Sequence, residues 1–248
     1  MIEFTHQGYL ALLQFIKDLH YEIVCFRDVR QDGSYVILRH DVDFSPEKAL
    51  EMAYLDHQFG VSSTFFFLLT SPYYNILSKS GVGCVKEIAK LGHECGLHYD
   101  CEGFEGLSTE ARRQRVHNLA ECLGESVGER IRSIAQHKPA RSAIREPFSS
   151  YLDAYSAPFF ENIGYISDSR GAFRVPDVHE FFRRNRRSQL VIHPIWWHAQ
   201  PKTRDEVFEF IEKEYSIKMA DLLKSESKTI EDFLNQTQLE RPEVAPTL

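Results

Sequence analysis

The chain has 248 residues, 43% of them hydrophobic and 26% charged, which fits an ordinary globular protein large enough for a sizeable core. Lysines and arginines number 29 against 36 aspartates and glutamates, and the net charge of -7 speaks against generalised nucleic-acid binding. Cysteines at 25, 84, 95, 101 and 122 are odd in number and contain no CxxC pair; with no basic leader at the start and no apolar run near membrane-span length, the expectation is a reduced, cytoplasmic protein without a membrane span. The sequence carries no signal of oligomeric state.

Apolar positions at Tyr9, Leu10, Leu13, Ile16 and Leu19 recur at helical spacing and predict an opening helix. Tyr21 to Phe26 reads as a short strand, and Asp32-Gly33 as turn chemistry. The apolar run Val36-Ile37-Leu38 then leads into Arg39-His40-Asp41-Val42-Asp43, with Ser45 and Pro46 set to cap and start a helix that Gly60 ends. On a strand, residues two apart share a face, so Asp41 and Asp43 converge at one strand end, a costly arrangement unless something cationic sits between them. Val61 to Leu69 is nearly all apolar, as in a strand buried on both faces.

A helix around Cys84–Leu91 precedes the strand Glu94-Cys95-Gly96-Leu97-His98-Tyr99-Asp100, and Thr109 to Leu123 is a charged amphipathic helix. Ile131 to Gln136 predicts the next strand, ending in His137-Lys138-Pro139. After an irregular stretch rich in Pro and Ser come strands at Tyr165–Ser167 and Leu190–Trp197. The last helix is expected over Asp205–Leu223, with Val207, Phe208, Ile211, Tyr215, Met219 and Leu222 on one stripe. The alternation predicts one α/β domain with a largely parallel sheet over residues 1–235 and a tail at 236–248. Five strand ends carry residues of catalytic type: Asp41 and Asp43, His98 and Asp100, His137, Asp168 and Arg170, and His193. In a barrel such ends share one face.

These residues resemble the polysaccharide deacetylase family, the metal-dependent chitooligosaccharide and peptidoglycan deacetylases of carbohydrate esterase family 4. Arg39-His40-Asp41-Val42-Asp43 is similar to the family's first motif in its Asp-x-Asp form, Gly60 to Phe67 to its aromatic second strand, and Gly92-His93-Glu94-Cys95-Gly96-Leu97-His98 to its second motif. The resemblance implies a single distorted (β/α) barrel, often seven-stranded, that binds zinc or another divalent ion and removes an acyl group. It implies Asp41 as general base, Asp43 and His98 as metal ligands, and His193 as the acid that protonates the leaving group.

Two departures bear on the metal. The family's second histidine, four residues after the first, is Glu102 here, and its third-motif arginine is replaced by His137-Lys138-Pro139. The third ligand is therefore open among His137, Asp100 and Glu102, with His137 first because imidazole is the commoner zinc ligand. His137's rival role is to orient Asp41. His93 falls on the opposite strand face from His98 and reads as structural.

For substrate contacts, Asp100 shares the face of His98, Asp168 and Arg170 could hold each other or a sugar hydroxyl, and Trp196-Trp197 could form a platform for a sugar ring or pack in the core. Arg183, Arg184, Arg186 and Arg187 form either a solvated face or a phosphate clamp, the latter admitting a nucleotide- or lipid-phosphate-linked substrate. Two functions follow. The first is a hydrolase that deacylates an amino sugar or surface-polysaccharide precursor. The second is a catalytically silent barrel that binds carbohydrate or serves as a scaffold, suggested by the missing histidine.

Overall fold

The computed structural model describes residues 2–30, 32–141 and 148–239. Chain contacts divide it into two units, Met1–Pro201 and Lys202–Leu248. The first opens with α1 (His6–Asp18), which the Thr5 hydroxyl caps by accepting from the Gly8 amide. Then come β1 (Glu22–Val24), β2 (Tyr35–Val42), α2 (Pro46–Phe59), β3 (Thr64–Leu68), α3 (Lys79–Lys90), β4 (Glu94–Tyr99), α4 (Thr109–Val127) and β5 (Ser133–Gln136). The unit closes with β6 (Leu152–Asp153), β7 (Gly164–Ser167), α5 (Val178–Arg184) and β8 (Arg187–Ile192). Ser45 caps α2 and Gly60 ends it in the left-handed region, as their positions predict.

Seven strands lie in the order β6-β5-β4-β3-β2-β8-β7, every neighbouring pair parallel, and β1 pairs with the start of β2. Among the described residues β6 and β7 do not pair, so this distorted barrel is open between them. Because all strands run the same way, their C-terminal ends gather on one side. β2, β3, β4 and β5 are buried along their whole length, which explains their lack of a polar-apolar alternation.

Alternation on β2 still sorts chemistry by face. Ile37, Arg39 and Asp41 point inward, whereas His40 points out to Asp56 of α2 at 2.9 Å. Asp56 also accepts from the hydroxyls of Tyr9, at 2.5 Å, and Ser63, at 2.7 Å, so this buried polar cluster locks α1 and α2 to the outside of the sheet. His93 belongs to the same layer, with Nδ1 at 3.2 Å from the Ser63 hydroxyl and Nε2 donating to the Ala53 carbonyl at 2.9 Å. Its structural reading is the one observed. Inside, Gly96 lets the Phe66 ring lie against β4: a Cβ there would stand 2.5 Å from that ring.

Helix α5 and strand β6 are the elements the sequence pattern did not suggest. Both are short, and the seven residues of α5 span only about two turns, too few for periodicity to register. Strand β8 ends at Ile192, and Pro194–Trp196 form a 3-10 turn because proline cannot extend the ladder.

The second unit contains α6 (Arg204–Leu239), 36 residues long, well past the expected stop at Leu223. Neither glycine nor proline interrupts it. Its predicted stripe is buried only at Val207 and Ile211, while Phe208, Met219 and Leu222 are exposed. Helix therefore continues through residues 236–239, and 240–248 lie outside the described residues. Among the described residues no helix is long and apolar enough to cross a membrane.

Candidate metal centre

The C-terminal ends of β2, β4 and β5 bring Asp43, His98 and His137 together. His98 Nε2 lies 3.2 Å from His137 Nδ1 and 3.5 Å from Asp43 Oδ1, and His137 Nδ1 lies 3.3 Å from the same oxygen. Three donor atoms thus form a nearly equilateral triangle. Ligands bound at zinc distances in a tetrahedron stand about 3.3–3.4 Å apart, so the donor set fits such an ion. The His98 Nδ1–H donates to the Ala135 carbonyl at 2.8 Å, which leaves Nε2 with its lone pair toward the triangle. Asp43 Oδ1 is buried, and among the described residues no group donates to it in hydrogen-bond geometry, although both imidazoles lie close by. Burial works to raise the Asp43 pKa, but the imidazoles of His137 and His98 hold it well below the usual carboxylate range.

Among the described residues this is the one group of three metal-ligating side chains so placed. Asp100 and Glu102 do not enter it: Asp100 turns back to accept from the Glu102 amide at 3.0 Å, and Glu102 is exposed. His137 stands among the ligand atoms, and its rival role of orienting Asp41 is taken by another residue.

That residue is Arg39. Its Nε and Nη2 donate to the two oxygens of Asp41 at 2.6 and 2.8 Å, and its Nη1 donates to Gln189 Oε1 at 2.8 Å. The guanidinium is fully buried, lies over Phe66 and Tyr155, and contacts the Tyr155 hydroxyl at 3.2 Å. A bidentate pair of this kind is the strong form of a charge-assisted hydrogen bond. Burial works to raise the Asp41 pKa, and the adjacent guanidinium outweighs it, keeping the carboxyl ionised. Sequence reasoning missed Arg39, although the signal was available: it sits two residues before Asp41, on the same strand face.

His193 enters from the end of β8. Its Nδ1 lies 2.6 Å from Asp168 Oδ1, its backbone amide donates to both Asp168 oxygens at 3.0 Å, and its Nε2 faces Asp43 Oδ2 at 3.9 Å. Burial works to lower the imidazole pKa, but Asp168, then Asp43 and Asp41, push it up to about 9.

Three expectations need correction. Asp168 is fully buried and engaged by His193 and the Trp197 indole N–H at 2.8 Å, so it cannot reach a sugar hydroxyl. Arg170 does not pair with it; it is exposed on the following turn with φ 66. Trp197 is 0% exposed, packed on Phe4 and Tyr9, and Trp196 is buried with its six-membered ring against Gly171, so the tryptophans offer no sugar platform. The arginine cluster lies at the wrong end of the sheet. Arg187 opens β8 opposite Tyr35, roughly 20 Å of strand away from His193, and Arg184 is paired with Glu180. A cavity of about 420 Å³ also opens at that far end, lined by Arg27, Arg130 and Arg132 together with the acids Asp28, Glu94 and Glu129.

No family model matches the sequence, and no curated protein matches it. Solved structures do. A CE4 family pseudoenzyme from Bacillus anthracis is 14% identical with a TM-score of 0.41, over 75% of this chain and 63% of that one, so the chain spans just under two thirds of its length. The chitin deacetylase of the fungal pathogen Colletotrichum lindemuthianum is 18% identical with a TM-score of 0.44, over 74% of this chain and 83% of that one. Peptidoglycan deacetylase PdaC from Bacillus subtilis is 14% identical with a TM-score of 0.42, over 82% of this chain and 97% of that one. The likeness is one of fold: the chain is similar to structures of CE4 deacetylases and of a pseudoenzyme of that family.

Proposed function

We propose that the chain is a metal-dependent hydrolase that removes an acyl group, N-acetyl foremost, from an amino sugar. The observation that carries this reading is the Asp43–His98–His137 triangle, with a fixed carboxylate on one side and a fixed imidazole on the other. A divalent ion held by those three residues, zinc by the donor set, would supply Lewis acidity toward the acyl carbonyl and toward water.

The remaining work belongs to the chain. Asp41 offers about four acceptor positions and Arg39 uses two, which leaves room to take the proton of an attacking water. Arg39 keeps that carboxyl ionised and fixes its plane. An amine leaves poorly unless protonated, and His193 Nε2 can deliver that proton while Asp168 holds Nδ1 from behind. Base and acid are pushed apart in pKa, Asp41 down and His193 up, as a division of labour between two proton carriers requires. The silent-barrel alternative drew on the histidine missing after His98, and the imidazole of His137 in the triangle weighs against it.

Elemental analysis alongside acetate and formate release from N-acetyl and N-formyl amino sugars tests this reading. About one equivalent of metal and chelator-sensitive acyl release are expected. A folded protein that binds no metal when supplied with it would overturn the proposal. Substrate phosphate is not expected to matter through the arginine cluster. Arg184→Glu with Arg187→Glu should leave KM for a nucleotide sugar and for a neutral amino sugar changed by the same factor, within about twofold, since surface charges so distant are largely screened. A rise confined to the nucleotide sugar would restore the phosphate clamp.

A further inference from the structure

Apolar residues in α6 recur with a longer period than a single turn. Phe208, Met219 and Ile230 stand 11 residues apart, and so do Ile211 and Leu222. Eleven residues are close to three whole helical turns, so such positions return to one side of the helix, and a packed helix can follow them along its length. A helix stopping at Leu223 would hold fewer than two of these repeats. The observed one runs on to Leu239 and holds nearly three.

The later part of this stripe is open to solvent. Met219 is 57% exposed, Leu222 61%, Leu223 62% and Ile230 58%, whereas Val207 and Ile211 near the helix start are buried. At about 100° per residue the four exposed side chains fall within a sector roughly 100° wide. Ile217, also exposed, falls on the opposite side.

A contiguous apolar surface of this kind marks a contact. Its partner is constrained by charge, period and area. The helix carries nine acidic and five basic side chains, the reverse of the Lys- and Arg-rich helices that lie on anionic lipid. Its repeat calls for a straight, equally periodic partner rather than a single pocket, and a second copy supplies one by symmetry, each stripe covering the other. Roughly 100 Å² of each of the four side chains is open. With the stems of flanking lysines and glutamates, two copies cover on the order of 1,000 Å², about the least that a stable interface needs.

We infer that α6 pairs with α6 of a second copy of this chain through Met219, Leu222, Leu223 and Ile230, which makes the protein a dimer. Glu226 lies within the same stripe, and a charged residue there costs stability, so the pairing is reversible. The inference does not draw on the hydrolase reading.

Sedimentation velocity of the full chain from about 1 to 100 µM should show monomer giving way to dimer. Leu222→Lys with Ile230→Lys places four unpaired charges in the interface and should raise the dimer Kd at least about 100-fold. Glu226→Leu should lower it about tenfold or more. All three positions are on α6 and lysine and leucine are good helix formers, so circular dichroism and melting temperature of the dilute, monomeric variants should match wild type. A wild type that stays monomeric throughout would overturn the inference. So would a dimer indifferent to both changes, which places the contact elsewhere. Monomers that instead co-sediment with phosphatidylcholine vesicles would give the stripe to a lipid surface and also overturn it.

Discussion

His137→Ala should lower metal affinity by more than about 100-fold, because loss of an outer-shell partner alone costs roughly 10–100-fold and His137 supplies a ligand atom. The expectation follows from the triangle, which without His137 Nδ1 keeps two of its three donor groups, His98 Nε2 and the Asp43 carboxylate. A two-donor site does not hold a divalent ion against water. Glu102→Ala and Asp100→Ala should leave metal content unchanged, since Glu102 is exposed and Asp100 is turned to the Glu102 amide. Equilibrium titration with zinc under matched conditions reads all three variants. His137 is buried, so the folded fraction of each protein is measured first. Metal retained by His137→Ala and lost by Glu102→Ala would return the third ligand to the position the family pattern marks.

The contrast between His137 and Glu102 shows what the sequence could and could not supply. Parallel strands, their order of chemistry and the converging acids were readable because each depends on local alternation and on the strand-end rule. That logic placed His98 and Asp43 at strand ends, and their ligand roles were what the family resemblance implied. The third position stayed open among His137, Asp100 and Glu102, with His137 put first on ligand type alone, and it is the pairing of β4 with β5 that brings His137 Nδ1 to 3.2 Å from His98. Asp168 was recognised as a strand-end acid but given the wrong partner. Its neighbour two residues on, Arg170, turns away at φ 66, and the group it meets arrives from β8, 25 residues later. Trp196 and Trp197 illustrate a different limit. An aromatic pair after a strand reads alike as platform or core, and the deciding facts are Phe4 and Tyr9, which pack on Trp197 from the far end of the sequence. The arginine run was legible as charge, but its place at the start of β8 rather than the end removes it from the chemistry.

Asp41→Asn should lower kcat by about 10²–10⁴-fold, the range for a positioned general base, while leaving bound metal intact. The different roles proposed for the two acids of the Asp-Val-Asp segment rest on their surroundings. Asp43 faces His98 and His137, whereas both oxygens of Asp41 face Arg39. Asparagine keeps the shape of Asp41 but replaces one oxygen with an NH2 group, which meets an Arg39 N–H donor to donor. The arginine is 0% exposed, so its charge would then rest on Gln189, the Tyr155 hydroxyl and two aromatic faces. Breaking a buried pair from one side costs about 3–5 kcal/mol, so a fall in melting temperature should accompany the loss of rate. The double variant Arg39→Met with Asp41→Asn separates the two effects. Removing both charges should recover much of the stability, because an apolar replacement of a buried pair is often neutral, yet activity should stay at the level of the single variant. Asp43→Asn, by comparison, should bind metal weakly and regain activity in part as metal is added. Measurement of kcat, bound metal and thermal midpoint for these proteins gives the assignment. An Asp41→Asn protein active within tenfold of wild type, beside a metal-saturated Asp43→Asn protein that is dead, would exchange the two roles.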